Sequence, residues 1–154
     1  MLVRNISLFA ALSVLMTGCA AFPSFPTNEG SRVAETTWLA LDAIDTAQTM
    51  QFVKKPACYH EADPFAARIY GSADPPAARV LAVNAVLALV HPTVSRWFDD
   101  HAEAAYEADD DTVGLWYVGR GLWHLISIAA SAKSVATNFG HGITPFGARC
   151  DAGQ

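Results

Sequence analysis

The stretch TVGLWYVGRGLWHLISIAASAKSVATNFG, residues Thr112 to Gly140, decides the fold. Its polar residues Arg120, His124, Ser127, Ser131, Ser134 and Asn138 are spaced 4, 3, 4, 3 and 4 apart. Residues three and four apart share one face of an α-helix, so this is a single polar stripe. Leu122, Leu125, Ile126 and Ala129 cover the apolar side. The pattern predicts a helix over Thr112–Asn138, weakened in its first turns by Gly114, Gly119 and Gly121 and ended by Gly140. No stretch of useful length alternates as a half-buried strand would.

Working outward, two further helices are predicted upstream. One runs from Arg32 to Val53 with Ser31 as its N-cap, followed by Lys54-Lys55 and stopped by Pro56. Leu39, Ala40, Ala43, Ile44, Ala47 and Met50 form its apolar side, and Asp42, Asp45, Gln48 and Thr49 gather opposite. The other starts at Asp74-Pro75, a capping carboxylate before a proline suited to the first helical position. It continues through Val80, Leu81, Val83, Val86, Leu87 and Val90, bends or stops at His91-Pro92, and resumes to Phe98. Seven of the fifteen acids lie between Asp99 and Asp111 with no Lys or Arg among them, which reads as a solvated turn or frayed helix end. The spaced oxygen ligands and central glycine of a calcium loop are absent there. The expected fold is all-α: a three-helix, up-down-up bundle with short connections.

The other end of the chain carries an address. Arg4 and the apolar run Ile6–Met16 lead to Thr17-Gly18-Cys19. A charged start, a short apolar segment and small residues at its end make a secretory signal. The same residues resemble the lipobox of bacterial lipoproteins, in which the chain is cut before a cysteine that then carries acyl chains. That resemblance implies lipidation of Cys19 and divides the chain into a signal peptide, residues 1–18, a lipidated tether, 19–31, and a helical domain, 32–154. It implies a protein anchored to an envelope membrane and facing the periplasm or the exterior.

Removing residues 1–18 leaves 136, enough for one domain with its own core. The whole chain is 52% hydrophobic, with a mean hydropathy of +0.21, and carries a net charge of −5. An acidic balance without a basic cluster excludes nucleic acid as a partner. Cys58 and Cys150 remain as an even pair for an oxidising compartment, and helices one and three ending at one pole would bring them together. Such a disulfide would contribute about 4 kcal/mol in the chain-entropy model.

Three further motifs resemble a second group. Asp45-Thr46-Ala47-Gln48-Thr49 looks like a D-x-x-Q-T signature. Tyr59-His60-Glu61-Ala62-Asp63-Pro64, with Gly71 and Pro75, is similar to a Y-x-E-x-N-P…G…P loop, with Asp63 where the pattern has Asn. Asn138 to Ile143 resembles an N-x-x-x-G-I helix ending. Together they are similar to small three-helix proteins of bacterial envelopes, some lipidated and some membrane-embedded. The resemblance implies a fold and a setting but no activity.

Candidate chemistry is sparse. If helices one and three pack, Asp42, Asp45 and Gln48 meet Arg120 and His124 in a polar seam. In an enzyme, Asp45 and His124 would be an acid–base pair. His60, Glu61 and Asp63 form a candidate loop site. With His91, His124 and His141 they are the available metal ligands, but none stands at H-E-x-x-H or C-x-x-C spacing, so no metal is assigned. Neighbouring Pro92 makes His91 a helix-capping residue, and His101 reads as solvated. No nucleophile elbow or phosphate loop appears, and no cofactor is called for. The leading expectation is a non-catalytic envelope lipoprotein that scaffolds or binds an envelope protein. A metal-dependent or acid–base enzyme and a membrane-embedded accessory subunit are the alternatives. Basic residues Lys54, Lys55, Arg68 and Arg79 around one loop, against acids around the next, favour the embedded alternative. The 16 residues between Arg79 and Arg96 weigh against it, being short for a span.

Overall fold

A computed structural model describes residues 25–54 and 64–149, apart from the side chain of Phe65. Cys19, Cys58, Cys150, His60, Glu61 and Asp63 lie outside these residues. The chain is mostly helical, with three long helices: α1 (Glu29–Lys54), α3 (Ala77–Glu107) and α4 (Val113–Gly140). A short α2 (Pro64–Tyr70) precedes α3, and two-residue strands β1 (Ile143–Thr144) and β2 (Gly147–Ala148) form an antiparallel hairpin after α4. The three long helices pack pairwise against one another, α2 lies on α3, and the hairpin lies on α1 and α4.

Contacts at the two ends set the helix directions. Ser31 at the start of α1 meets Asp99 near the end of α3, and Arg120 near the start of α4 meets the same Asp99. Gln48 near the end of α1 meets Val135 and Asn138 near the end of α4. Thus α1 and α4 run the same way, and α3 returns between them.

Helix boundaries depart from expectation for local reasons. Asn28, not Ser31, caps α1: its Oδ1 accepts the Ser31 amide. That releases the Ser31 hydroxyl to donate to Asp99 Oδ1 at 2.8 Å. The start of α3 slips from Pro75 to Ala77, with Pro76 at the cap in an extended conformation. Pro76 disfavours a helical Pro75, so the helix cannot begin at the first proline.

Nor does α3 stop at His91-Pro92; it runs unbroken for 31 residues. The Thr93 hydroxyl donates to the Leu89 carbonyl beside the proline. The acidic run is not all solvated turn either. Residues 99–107 are helical and Asp99 is buried. The turn is confined to the residues between α3 and α4, where Asp109 takes a positive φ of 52°. Asp110 Oδ1 accepts the Thr112 amide, which holds that carboxyl below the usual carboxylate range.

The largest correction concerns which faces are inside. Of the apolar residues assigned to the helices, Val80 is in the core, but most of the others are not. Leu122, Leu125 and Ile126 of α4 are 51–65% exposed, as are Leu81 and Val86 of α3 at 51% and 57%. The predicted apolar side of α1, including Leu39, Ile44 and Met50, is only half-buried. Buried beside a small apolar core are the polar side chains Ser31, Glu35, Gln48, Thr49, Gln51, Asn84, His91, Ser95, Asp99 and His124.

Candidate functional site

The polar interior follows from three stripes at helical spacing. On α1 it runs Ser31, Glu35, Trp38, Asp42, Asp45 and Gln48; on α3, Asn84, His91, Ser95 and Asp99; on α4, Arg120, His124, Ser127, Ser131, Ser134 and Asn138. Each keeps to steps of three and four residues or their sums, so each stays on one face. Facing stripes satisfy one another, and buried polar groups require that.

At the α1 start, Asp99 collects three donors: the Ser31 hydroxyl at 2.8 Å, the Arg120 guanidinium at 2.9 Å and the Asn28 amide at 3.3 Å. Arg120 also lies over the Tyr117 ring, 5.0 Å from its centroid. Beside this pole, Trp97, His101 and Trp116 form an aromatic cluster, with His101 4.5 and 4.6 Å from the two indoles.

The centre is built around Glu35, which is fully buried. Its carboxylate accepts from His91 Nδ1, 2.7 and 2.9 Å from its two oxygens, and from the Ser95 hydroxyl at 2.6 Å. Against an ionised carboxylate, which only accepts, Nδ1 is the donor nitrogen of His91. The imidazole is stacked on Trp38 at 3.7 Å and on Trp123 at 4.6 Å. Trp123 in turn donates its indole N–H to Ser95. His124 packs nearby, its ring centroid 6.4 Å from that of His91.

At the other end Asp45 Oδ1 accepts from Ser134 at 2.6 Å and from Asn138 at 3.0 Å. Gln48 is fully buried; it donates to the carbonyls of Ile143 and Val135 and accepts from Asn138. Gln51 donates to the Pro145 carbonyl, so two glutamines of α1 hold the hairpin. Below α3, Asn84 donates to the Tyr70 hydroxyl and ties α2 in place.

The expected seam of Asp42, Asp45, Gln48, Arg120 and His124 is therefore divided. Asp45 and Gln48 do meet α4, but at Ser134 and Asn138. Arg120 pairs with Asp99, and His124 joins His91. Because α1 and α4 run the same way, Arg120 lies beside Ser31, about three turns from Asp42. That spacing also separates Asp45 from His124, so the proposed acid–base pair does not form.

Glu35 and Ser95 were not singled out in the sequence, and His91 is a central ligand of Glu35 rather than a cap. The signal was present: Glu35 extends the Asp42–Asp45 stripe backward, and Ser95 and Asp99 follow His91 at four-residue steps. Among the described residues no three His, Cys, Asp or Glu side chains converge as a metal site. His141 is exposed. No family model, curated protein or solved structure matches the chain.

Proposed function

We propose that this is a non-catalytic, lipid-anchored protein of the bacterial envelope whose three long helices form an up-down-up bundle inside the membrane, where it acts as an accessory subunit for an envelope protein partner. One observation carries the reading: ionisable side chains of the helix centres face inward and large apolar ones face out. In a bilayer the exterior must be apolar, and charged residues face the interior and pair there.

The dimensions support it. Helices of 26, 31 and 28 residues are about 39, 46 and 42 Å long, against about 30 Å of hydrocarbon. Among the described residues, α3 is long and apolar enough to cross a membrane, and only 22% of its apolar window is buried within the protein. A core helix of a water-soluble domain would be mostly covered. Between Val33 and Val53 the ionisable residues of α1 are Glu35, Asp42 and Asp45, all on the inner stripe. On α4 the exception is Lys133, exposed and seven residues from the helix end, near enough for its stem to reach toward the headgroups.

Charge gives an orientation. Asp99, Asp100, Glu103, Glu107 and Asp109 to Asp111 crowd the pole that holds the start of α1. Lys54, Arg68, Arg79 and Arg149 belong to the other pole. Arg32, Arg96 and Arg120 stand at the acidic pole, so the excess of Lys and Arg at the other pole is modest; a lipidated Cys19 outside the cytoplasmic membrane puts that pole inside, the direction the positive-inside rule favours. Trp97, Trp116 and Tyr117 then sit at the outer interface, where amphipathic rings are favoured.

Single cysteine reporters test the topology. In spheroplasts, Ala108→Cys at the acidic turn should react with a membrane-impermeant maleimide, while Ser72→Cys at the opposite pole should react only after lysis. Equal labelling of both in intact spheroplasts would place the whole domain in water and overturn the embedded reading.

A further inference from the structure

The interior is well satisfied except at one place. Nε2 of His91 and both ring nitrogens of His124 have no hydrogen-bond partner, and they are the buried side-chain polar atoms of the described residues left in that condition. The two rings are 5% and 8% exposed. An unpaired buried polar group costs about 1–3 kcal/mol, and native interiors commonly answer such groups with an ordered water. Two imidazoles sharing one water, with bonds of about 2.8 Å meeting at a roughly tetrahedral angle, have centroids about 6–6.5 Å apart. The observed separation is 6.4 Å.

We infer that Glu35, His91 and His124 form a buried site for one water molecule and one transferable proton. Glu35 holds the Nδ1–H of His91, which leaves Nε2 as the bare nitrogen. A proton arriving on Nε2 makes an imidazolium against the Glu35 carboxylate and between the faces of Trp38 and Trp123. Its transfer breaks the His91 Nε2–H bond and forms an O–H bond on the water. The water gives up another O–H, and a His124 nitrogen gains the N–H. The water is regenerated, no electron moves and no further reactant is needed. The charged and titratable groups acting on His124 are Glu35 from α1, His91 and Asp99 from α3, and Arg120 from its own helix. The inference goes beyond the membrane reading and does not rest on it, since the three side chains are buried in either setting.

Tryptophan emission provides the test, because an imidazolium stacked on indole quenches it more than a neutral ring does. His101 stacks on Trp97 and Trp116 and would add its own signal, so the full chain carries His101→Gln throughout. Protonation of the site is expected to appear as a pH-dependent transition in that emission. It should vanish with His91→Gln and shift its midpoint by at least about half a pH unit with His124→Gln, as coupled sites do. Should His91→Gln fail to fold, the pair Trp38→Phe and Trp123→Phe keeps both histidines and must abolish the transition. A transition that survives loss of His91 or of its two indoles, or a midpoint indifferent to His124, overturns the relay. Imidazole nitrogen NMR separates a shared water from simple charge coupling. Proton transfer through one water moves the His91 Nε2 and His124 nitrogen shifts in opposite senses, each between its own protonated and bare values, and a His124 shift that stays fixed through the transition would also overturn it.

Discussion

Arg120→Ala isolates what one buried ion pair contributes at the acidic pole. The Asp99 side chain is 3% exposed and that of Arg120 is 21%, with 2.9 Å between guanidinium and carboxylate. Removing the guanidinium leaves Asp99 charged and buried with two neutral donors, the Ser31 hydroxyl and the Asn28 amide. Breaking a fully buried pair costs about 3–5 kcal/mol, and an exposed pair is worth about 0–1 kcal/mol. Partial exposure of Arg120 puts the expected loss near the lower bound, about 2–3 kcal/mol. For a chain of this length each kcal/mol moves Tm by roughly 2–4 °C, so the loss is about 4–12 °C. The measurement is thermal unfolding of purified protein in one fixed lipid or detergent environment, followed by near-UV circular dichroism. Adding Asp99→Asn to Arg120→Ala removes the orphaned charge and should return at least half of the loss. A single-variant shift below about 2 °C, or a double variant no more stable than the single, would refute burial as the source of the effect.

Gln48→Leu should loosen the C-terminal hairpin. It removes the donor to the Ile143 carbonyl and costs about 1–3 kcal/mol, seen as faster amide exchange over residues 143–148; unchanged protection there would contradict the role given to Gln48. Gly119→Ala separates packing from helix propensity by sign. Propensity alone would stabilise by about 1 kcal/mol. A Cβ at this position meets Phe98 Cε1 at 2.9 Å, so the expected result is a loss of about 1–3 kcal/mol, relieved by Phe98→Leu. Val86→Lys, on the exposed face midway between Arg79 and Arg96, should raise the free energy of membrane insertion by about 2.5–3.5 kcal/mol in a glycosylation-mapping assay. A water-facing site would tolerate the same lysine within about 0.5 kcal/mol.

Periodicity made the helices legible but not their inner faces. The 4-3 spacing from Arg120 to Asn138 finds the polar stripe of α4, and the same reasoning groups Asp45 with Gln48. Amphipathic spacing, however, separates two faces without marking the inner one: the same stripe is a solvated face in water and an interior in lipid. Partners depended on register, which no single helix encodes. Asp99 was hidden among six other acids, although its steps from His91 and Ser95 mark it as an inner residue. Pro92 concealed His91, because a proline rule describes local backbone cost and not the tertiary contacts to Glu35, Trp38 and Trp123 that outweigh it. Strands of two residues, as in β1 and β2, leave no pattern to read.

The two halves of this inversion are energetically linked. The buried apolar side chains among the described residues are Trp38, Tyr70, Val80, Val135, Ile143 and three alanines, a small core for a domain of this size. In water, folding would rest on that core at about 25 cal/mol per Å² while leaving the Leu, Val and Ile of α3 and α4 exposed. A marginal domain must also offset about 1–2 kcal/mol of backbone entropy for each ordered residue, so little stability would remain. In a bilayer the apolar exterior is already in a favourable solvent, and the helices need only exclude lipid from their polar stripes. Association there depends on packing and on hydrogen bonds between helices, the kind that Ser95, Ser134, Asn138 and Gln48 supply. Substitutions that make the interior uniformly apolar, such as Glu35→Leu together with His91→Leu, should therefore weaken helix association in lipid. In a water-soluble domain the same replacements would be neutral or stabilising. The sign of that change, read by unfolding the double variant beside the wild type, distinguishes the two physical settings without reference to any activity.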